Sequence, residues 1–77
     1  MPRRDPKLTV AAHRAAEARR IVAGQRLLIE TLKASGRPTE EAEVALQLYL
    51  SALDVLELHE RKLREQGRAK RRETRKK

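Results

Sequence analysis

One interruption governs what this chain can fold into. Ser35-Gly36-Arg37-Pro38-Thr39 separates two long stretches that have little else to stop a helix. Residues 8–35 contain a single glycine, Gly24, and no proline, and residues 39–66 contain neither. Both stretches are rich in Ala, Leu, Arg, Glu and Gln, the residues that lose least on entering a helix. Gly36 suits the left-handed position that closes a helix, and Pro38 drives Arg37 out of the α region. Thr39 is placed to N-cap the second helix, with Glu40, Glu41 and Glu43 at its positive end and Arg61, Lys62 and Arg64 toward its negative end. Ala42 stands where a capping box would have Glu. Either Asp5-Pro6 or Thr9 can start the first helix.

Each arm of about 28 residues would be roughly 42 Å long, and so short a loop makes the arms antiparallel neighbours. Folding about residue 37 sets Leu32 against Ala42, Ile29 against Ala45 and Leu46, and Gln25 against Tyr49. Farther along, Val22 meets Ala52 and Leu53, Ala18 meets Leu56, and Ala11 meets Leu63. Large side chains face small ones along the lower half, which permits close approach. Gln25 and Tyr49 are expected as a buried polar pair, and Gly24 as a point of close helix contact. The expected fold is all-α, an antiparallel two-helix hairpin over residues 8–66 with coiled-coil character. Residues 1–7 are expected to be a flexible basic N-terminus and residues 67–77 a disordered basic tail.

The apolar surface is too wide for two helices. Between residues 44 and 58 the polar residues Gln47, Ser51, Asp54 and Glu57 occupy one narrow stripe, and the rest is almost entirely apolar. A helix with one partner needs an apolar arc of a little over ~100°; this arc is about twice that. Ile21, Val22, Leu27, Leu28, Ile29 and Leu32 repeat the pattern on the first arm, opposite a polar stripe of Arg19, Arg26, Glu30 and Lys33. The chain holds 17 Leu, Ile and Val, each worth about 1.5–3 kcal/mol when fully buried, and a lone hairpin leaves many of them wet. The pattern predicts a homodimer closing a four-helix bundle, or the same face covered by another protein partner. The residues expected at that interface are Ile21, Leu28, Ile29, Leu32, Leu46, Tyr49, Leu50, Leu53 and Leu56.

Charge is distributed unevenly. The net charge of +8 suggests a polyanion partner, but residues 8–66 hold nine basic and nine acidic residues. Within them, residues 8–35 net +3 and residues 39–66 net −4, which favours pairing the arms. The excess lies at the ends. Residues 1–7 net +2, and Arg68, Lys70, Arg71, Arg72, Arg75, Lys76 and Lys77 against Glu73 net +6. The rival expectation is therefore a nucleic-acid-binding protein that grips phosphates, or an acidic partner, through those seven residues. The lone aromatic, Tyr49, offers no stacking platform, so such binding would be nonspecific.

Catalytic patterns are missing. There is no Cys, hence no thiolate nucleophile and no disulfide. His13 and Glu17 lie four apart, and His59 falls near Ala15 across the hairpin, but no second pair has ligand spacing. His59-Glu60-Arg61 reads as a solvated helix end. Ser35 and Thr39 read as turn and cap residues. No enzyme activity, metal, cofactor or small-molecule substrate is expected. No run approaches the ~18–20 apolar residues of a membrane span, and no apolar segment follows the basic start, so a cytoplasmic protein without membrane contact is expected.

Arg20-Ile21, Gln25-Arg26, Ile29, Leu32, Gly36, Thr39, Ala42 and Glu43, then Leu46, Leu53, His59 and Arg61, form a spaced pattern over residues 20–63. It resembles a group of short bacterial proteins, frequent in alphaproteobacteria and usually uncharacterised. They share an Ile-x-x-x-Gln-Arg-x-x-Ile-x-x-Leu run, a Gly-x-x-Thr turn and a Leu-rich second helix ending in His-x-Arg. The resemblance implies a helical hairpin and brings no activity or site residues. The longer basic tail here departs from that group.

Overall fold

The computed structural model describes residues 6–75, with side chains for residues 6–69. Two helices make up the fold, α1 over Pro6–Ala34 and α2 over Glu40–Arg75. They pack against each other as an antiparallel hairpin with overall extents of 65 × 21 × 13 Å. A helix with its side chains is about 10–12 Å across, so the molecule is a slab one helix thick.

The interruption folds as its composition dictates. Gly36 adopts φ +68°, its N–H donates to the Lys33 carbonyl at 3.1 Å, and the Arg37 N–H donates to the Leu32 carbonyl at 2.9 Å. These two bonds are those of a Schellman cap with glycine at the left-handed position. The Thr39 carbonyl accepts from the Glu43 N–H at 2.8 Å, which makes Thr39 the cap residue of α2. At the other end α1 begins at Pro6, where a missing N–H costs nothing. Thr9 lies inside the helix.

A strict heptad seam joins the arms. Residues 8, 11, 15, 18, 22, 25, 29 and 32 of α1 alternate steps of three and four, and all are buried or half-buried. Thr39, which caps α2, and residues 42, 46, 49, 53, 56, 60 and 63 of α2 do the same, with Tyr49 alone more exposed, at 39%. This is the spacing of a coiled coil. The most buried apolar residues are Ala11, Ala15, Val22, Ile29 and Ala42. The core is thin because small residues supply most of it.

Gln25 and Glu60 each bring a polar group into that seam. The Gln25 Nε2 donates to the Ala42 carbonyl at 2.8 Å; the expected pairing with Tyr49 is replaced by a bond to backbone. Glu60, read from sequence as solvated, is only 7% exposed. Its carboxylate accepts from Arg64 Nη2 at 2.6 Å and lies 3.9 Å from Arg19 Nη2, at the end of the hairpin where the α1 seam has the small residues Ala11 and Ala15.

α2 runs nine residues beyond the expected end at 66, so the segment expected to be disordered is helical through Arg75. Lys76 and Lys77 lie outside the described residues. Pro6 and Lys7, assigned from sequence to a flexible N-terminus, belong to α1; residues 1–5 lie outside the described residues.

Candidate interaction surfaces

A slab one helix thick has two broad faces, and here they differ in chemistry. On one face, Arg19 donates through Nε at 3.1 Å and Nη2 at 2.9 Å to the same Glu57 oxygen, tying α1 to α2. Toward the loop this face carries an open groove of about 720 Å³ with Arg26, Glu30, Lys33, Glu40, Glu43 and Gln47 around an apolar floor of Ile29, Val44 and Leu46. Charges of both signs alternate there, and water can solvate them. Leu50, one turn from Gln47 and Asp54, belongs to this side and is half-buried.

The opposite face is apolar. A shallow groove of about 270 Å³ runs between the helices over Ala18, Ile21, Tyr49, Ala52 and Leu56, with Arg14 and Glu17 at its end. Helical spacing extends the strip. Leu28 is two turns on from Ile21, and Leu48 and Val55 lie one turn either side of Ala52. Leu48 is 68% exposed and Val55 66%, with Ile21 and Leu28 close to half. Side chains this apolar and this wet, aligned on one face, form the kind of contiguous patch that marks an interaction surface.

The nine residues expected at an oligomer interface therefore divide. Ile29 is buried in the hairpin's own seam, and Leu32, Leu46, Leu53 and Leu56 are half-buried along it. Leu50 is on the charged side. Ile21, Leu28 and Tyr49 remain available on the apolar face. Leu48 and Val55 are the residues sequence reasoning missed. Their signal was present, since they sit at 4 and 3 from Ala52 and off the heptad seam.

Gly24 is exposed, and a Cβ built on it meets nothing within 4 Å. It does not mark a close approach of the two helices, contrary to expectation. It lies between Ile21 and Leu28 on the same side of α1 and leaves a notch in the apolar strip.

His13 and His59 are both exposed, and among the described residues no group of three or more His, Asp or Glu is placed to hold a metal ion. Thr31 Oγ1 donates to the Leu27 carbonyl and Ser35 Oγ to the Thr31 carbonyl, each at 2.9 Å, so both hydroxyls bond back along their own helix. Among the described residues no helix is long and apolar enough to cross a membrane. Of the basic residues expected to contact an anion, Arg68 is exposed, and Lys70, Arg71, Arg72 and Arg75 fall on the helical backbone of α2.

Comparison with protein families, curated proteins and solved structures found no match to this chain.

Proposed function

We propose that this protein is a non-catalytic interaction module whose apolar face pairs with the same face of a second copy, closing a four-helix bundle. The observation that carries the reading is the strip of Ile21, Leu28, Leu48, Tyr49 and Val55 left exposed on one face of a slab 13 Å thick. A second hairpin laid on that face turns one layer into two, the minimum for a core shielded on both sides. A second copy suits the strip because its end carries Arg14 and Glu17, one charge of each sign. Two such faces meeting about a twofold axis can set opposite charges against each other.

The magnitude is favourable. A fully buried Leu gains about 1.5–3 kcal/mol, so Leu48, with two-thirds of its surface still exposed, retains about 1–2 kcal/mol to be gained. Twofold symmetry counts every such position twice.

Sedimentation equilibrium at micromolar concentration tests the proposal. The expected mass is about twice the 8.9 kDa of one chain. Leu48→Lys with Val55→Lys should return the protein to one chain mass while leaving the helical circular dichroism of the hairpin intact, because neither side chain is in the seam. A wild-type protein that stays at 8.9 kDa throughout overturns the proposal. So does a double variant that remains dimeric.

A further inference from the structure

The helices differ in length, and the difference falls at one end. The last seam residue of α2 is Leu63, level with the first seam residue of α1, Leu8; beyond it α2 continues to Arg75, while α1 begins at Pro6. At 1.5 Å per residue these twelve residues project about 18 Å past the end of the hairpin. Residues 64–69 are all exposed.

The projecting segment reads REQGRAKRRETR, and its arginines are periodic. Arg61, Arg64, Arg68, Arg71 and Arg75 recur at steps of three, four, three and four, the spacing of one helical stripe. Glu65 and Glu73 fall outside that series. Near its base the stripe joins the cluster in which Arg64 bonds Glu60, so its second member is tied to the hairpin.

We infer that this arm docks as a helix on the phosphate backbone of duplex nucleic acid, independently of base sequence. The chemistry selects that partner over others. A lipid surface needs apolar anchors, and residues 64–75 contain no Leu, Ile, Val, Phe, Trp or Tyr. A protein interface needs a desolvated apolar or aromatic centre, and the arm has none. Single strands are held by aromatic stacking, also missing from the arm. A duplex carries phosphates in regular rows, and its major groove, about 12 Å wide, accepts one helix. The inference goes beyond self-association and does not depend on it, since the arm lies outside the apolar face.

The test is fluorescence anisotropy of a labelled 20-base-pair mixed-sequence DNA duplex titrated with the full chain. With about four phosphates neutralised, the slope of log K against log salt should be near −3.6, an affinity loss of about 150-fold from 50 to 200 mM KCl. Arg68→Gln, Arg71→Gln and Arg75→Gln together should flatten that slope by about 2.7. Lys62→Gln, Lys70→Gln and Arg72→Gln remove the same charge from helical positions outside that series and should flatten it less. Ala69→Pro keeps every charge but breaks the helix within the arm, and it should weaken binding at least tenfold with the hairpin still folded. The inference is overturned if the wild-type chain fails to bind at 50 mM KCl, or if the two triple variants behave alike. Ala69→Pro binding as tightly as the parent would also sink it, because a loose basic tail would then suffice. Poly-glutamate or anionic vesicles displacing the duplex as well as unlabelled duplex does, at equal charge concentration, would assign the arm to another partner.

Discussion

Replacing Glu60 by leucine should leave the hairpin at least as stable as the parent, although it removes two ionic contacts. Glu60 is 7% exposed at a seam position, and Ala11 and Ala15 are buried seam residues of α1 at the same end of the hairpin. Its partners Arg19 and Arg64 keep 52% and 55% of their side chains in water. Pairs with such partners are screened, and together they contribute about 1 kcal/mol, with 2 as an upper value. A leucine buried at the same place gains about 2 kcal/mol from the area it removes from water. The net change lies between zero and about 1 kcal/mol in favour of Glu60→Leu. Glu60→Ala loses the contacts and fills nothing, so it should fall about 2 kcal/mol below the leucine variant. Arg64→Ala strands the carboxylate with Arg19 alone at 3.9 Å and should destabilise the hairpin by about 1–2 kcal/mol, more than an exposed pair would. Urea unfolding followed by circular dichroism at 222 nm reads all three, at one fixed protein concentration because association would shift the midpoint. A leucine variant that unfolds before the alanine variant would show that the seam needs a carboxylate there rather than volume, and would refute the reasoning.

Three further outcomes follow from single positions. Gly36→Ala forces a Cβ into φ +68° and should cost about 1–2 kcal/mol, seen as a lower urea midpoint with unchanged helicity. Gly67→Ala meets nothing within 4 Å on a helix that continues past it; thermal melts should show a gain of about 0.5–1 kcal/mol if the arm unfolds with the hairpin. Ile29→Ala removes one of the two large side chains in the buried core and should cost about 2–4 kcal/mol, enough to leave far-ultraviolet circular dichroism largely unfolded at 25 °C.

The parts of the fold that could be read in advance are those set by local chemistry. Gly36, Pro38 and Thr39 act through their own backbone preferences, so the turn and the antiparallel hairpin follow from five residues. The apolar arc was legible for the same reason, as a property of spacing alone. Folding about residue 37 had already set Leu46 and Leu53 against α1; what could not be read was that the hairpin would use them up and leave other residues for the outer face. Leu46, Leu53, Leu48 and Val55 have the same chemistry, and only the partner helix decides that the first two enter the seam and the last two stay wet. The seam's polar members were hidden by a related ambiguity. Glu60 sits in a local run of charge, His59-Glu60-Arg61, yet the step of four from Leu56 and three to Leu63 places it in the seam. Composition said solvent and register said core, and register prevailed at the end of the hairpin where the α1 seam holds two alanines. The same conflict decides the end of α2. A run of basic residues suggested a loose tail, whereas Ala69 and the arginines around it are good helix formers growing from a helix already nucleated by the hairpin, where each added residue costs little. Of the net charge of +8, six units lie in residues 67–77 and two in residues 1–7, so the charge describes the ends and not the hairpin. The hairpin and its arm are therefore best tested as two surfaces with different chemistry, an apolar face shared by both helices and a cationic arm that continues α2.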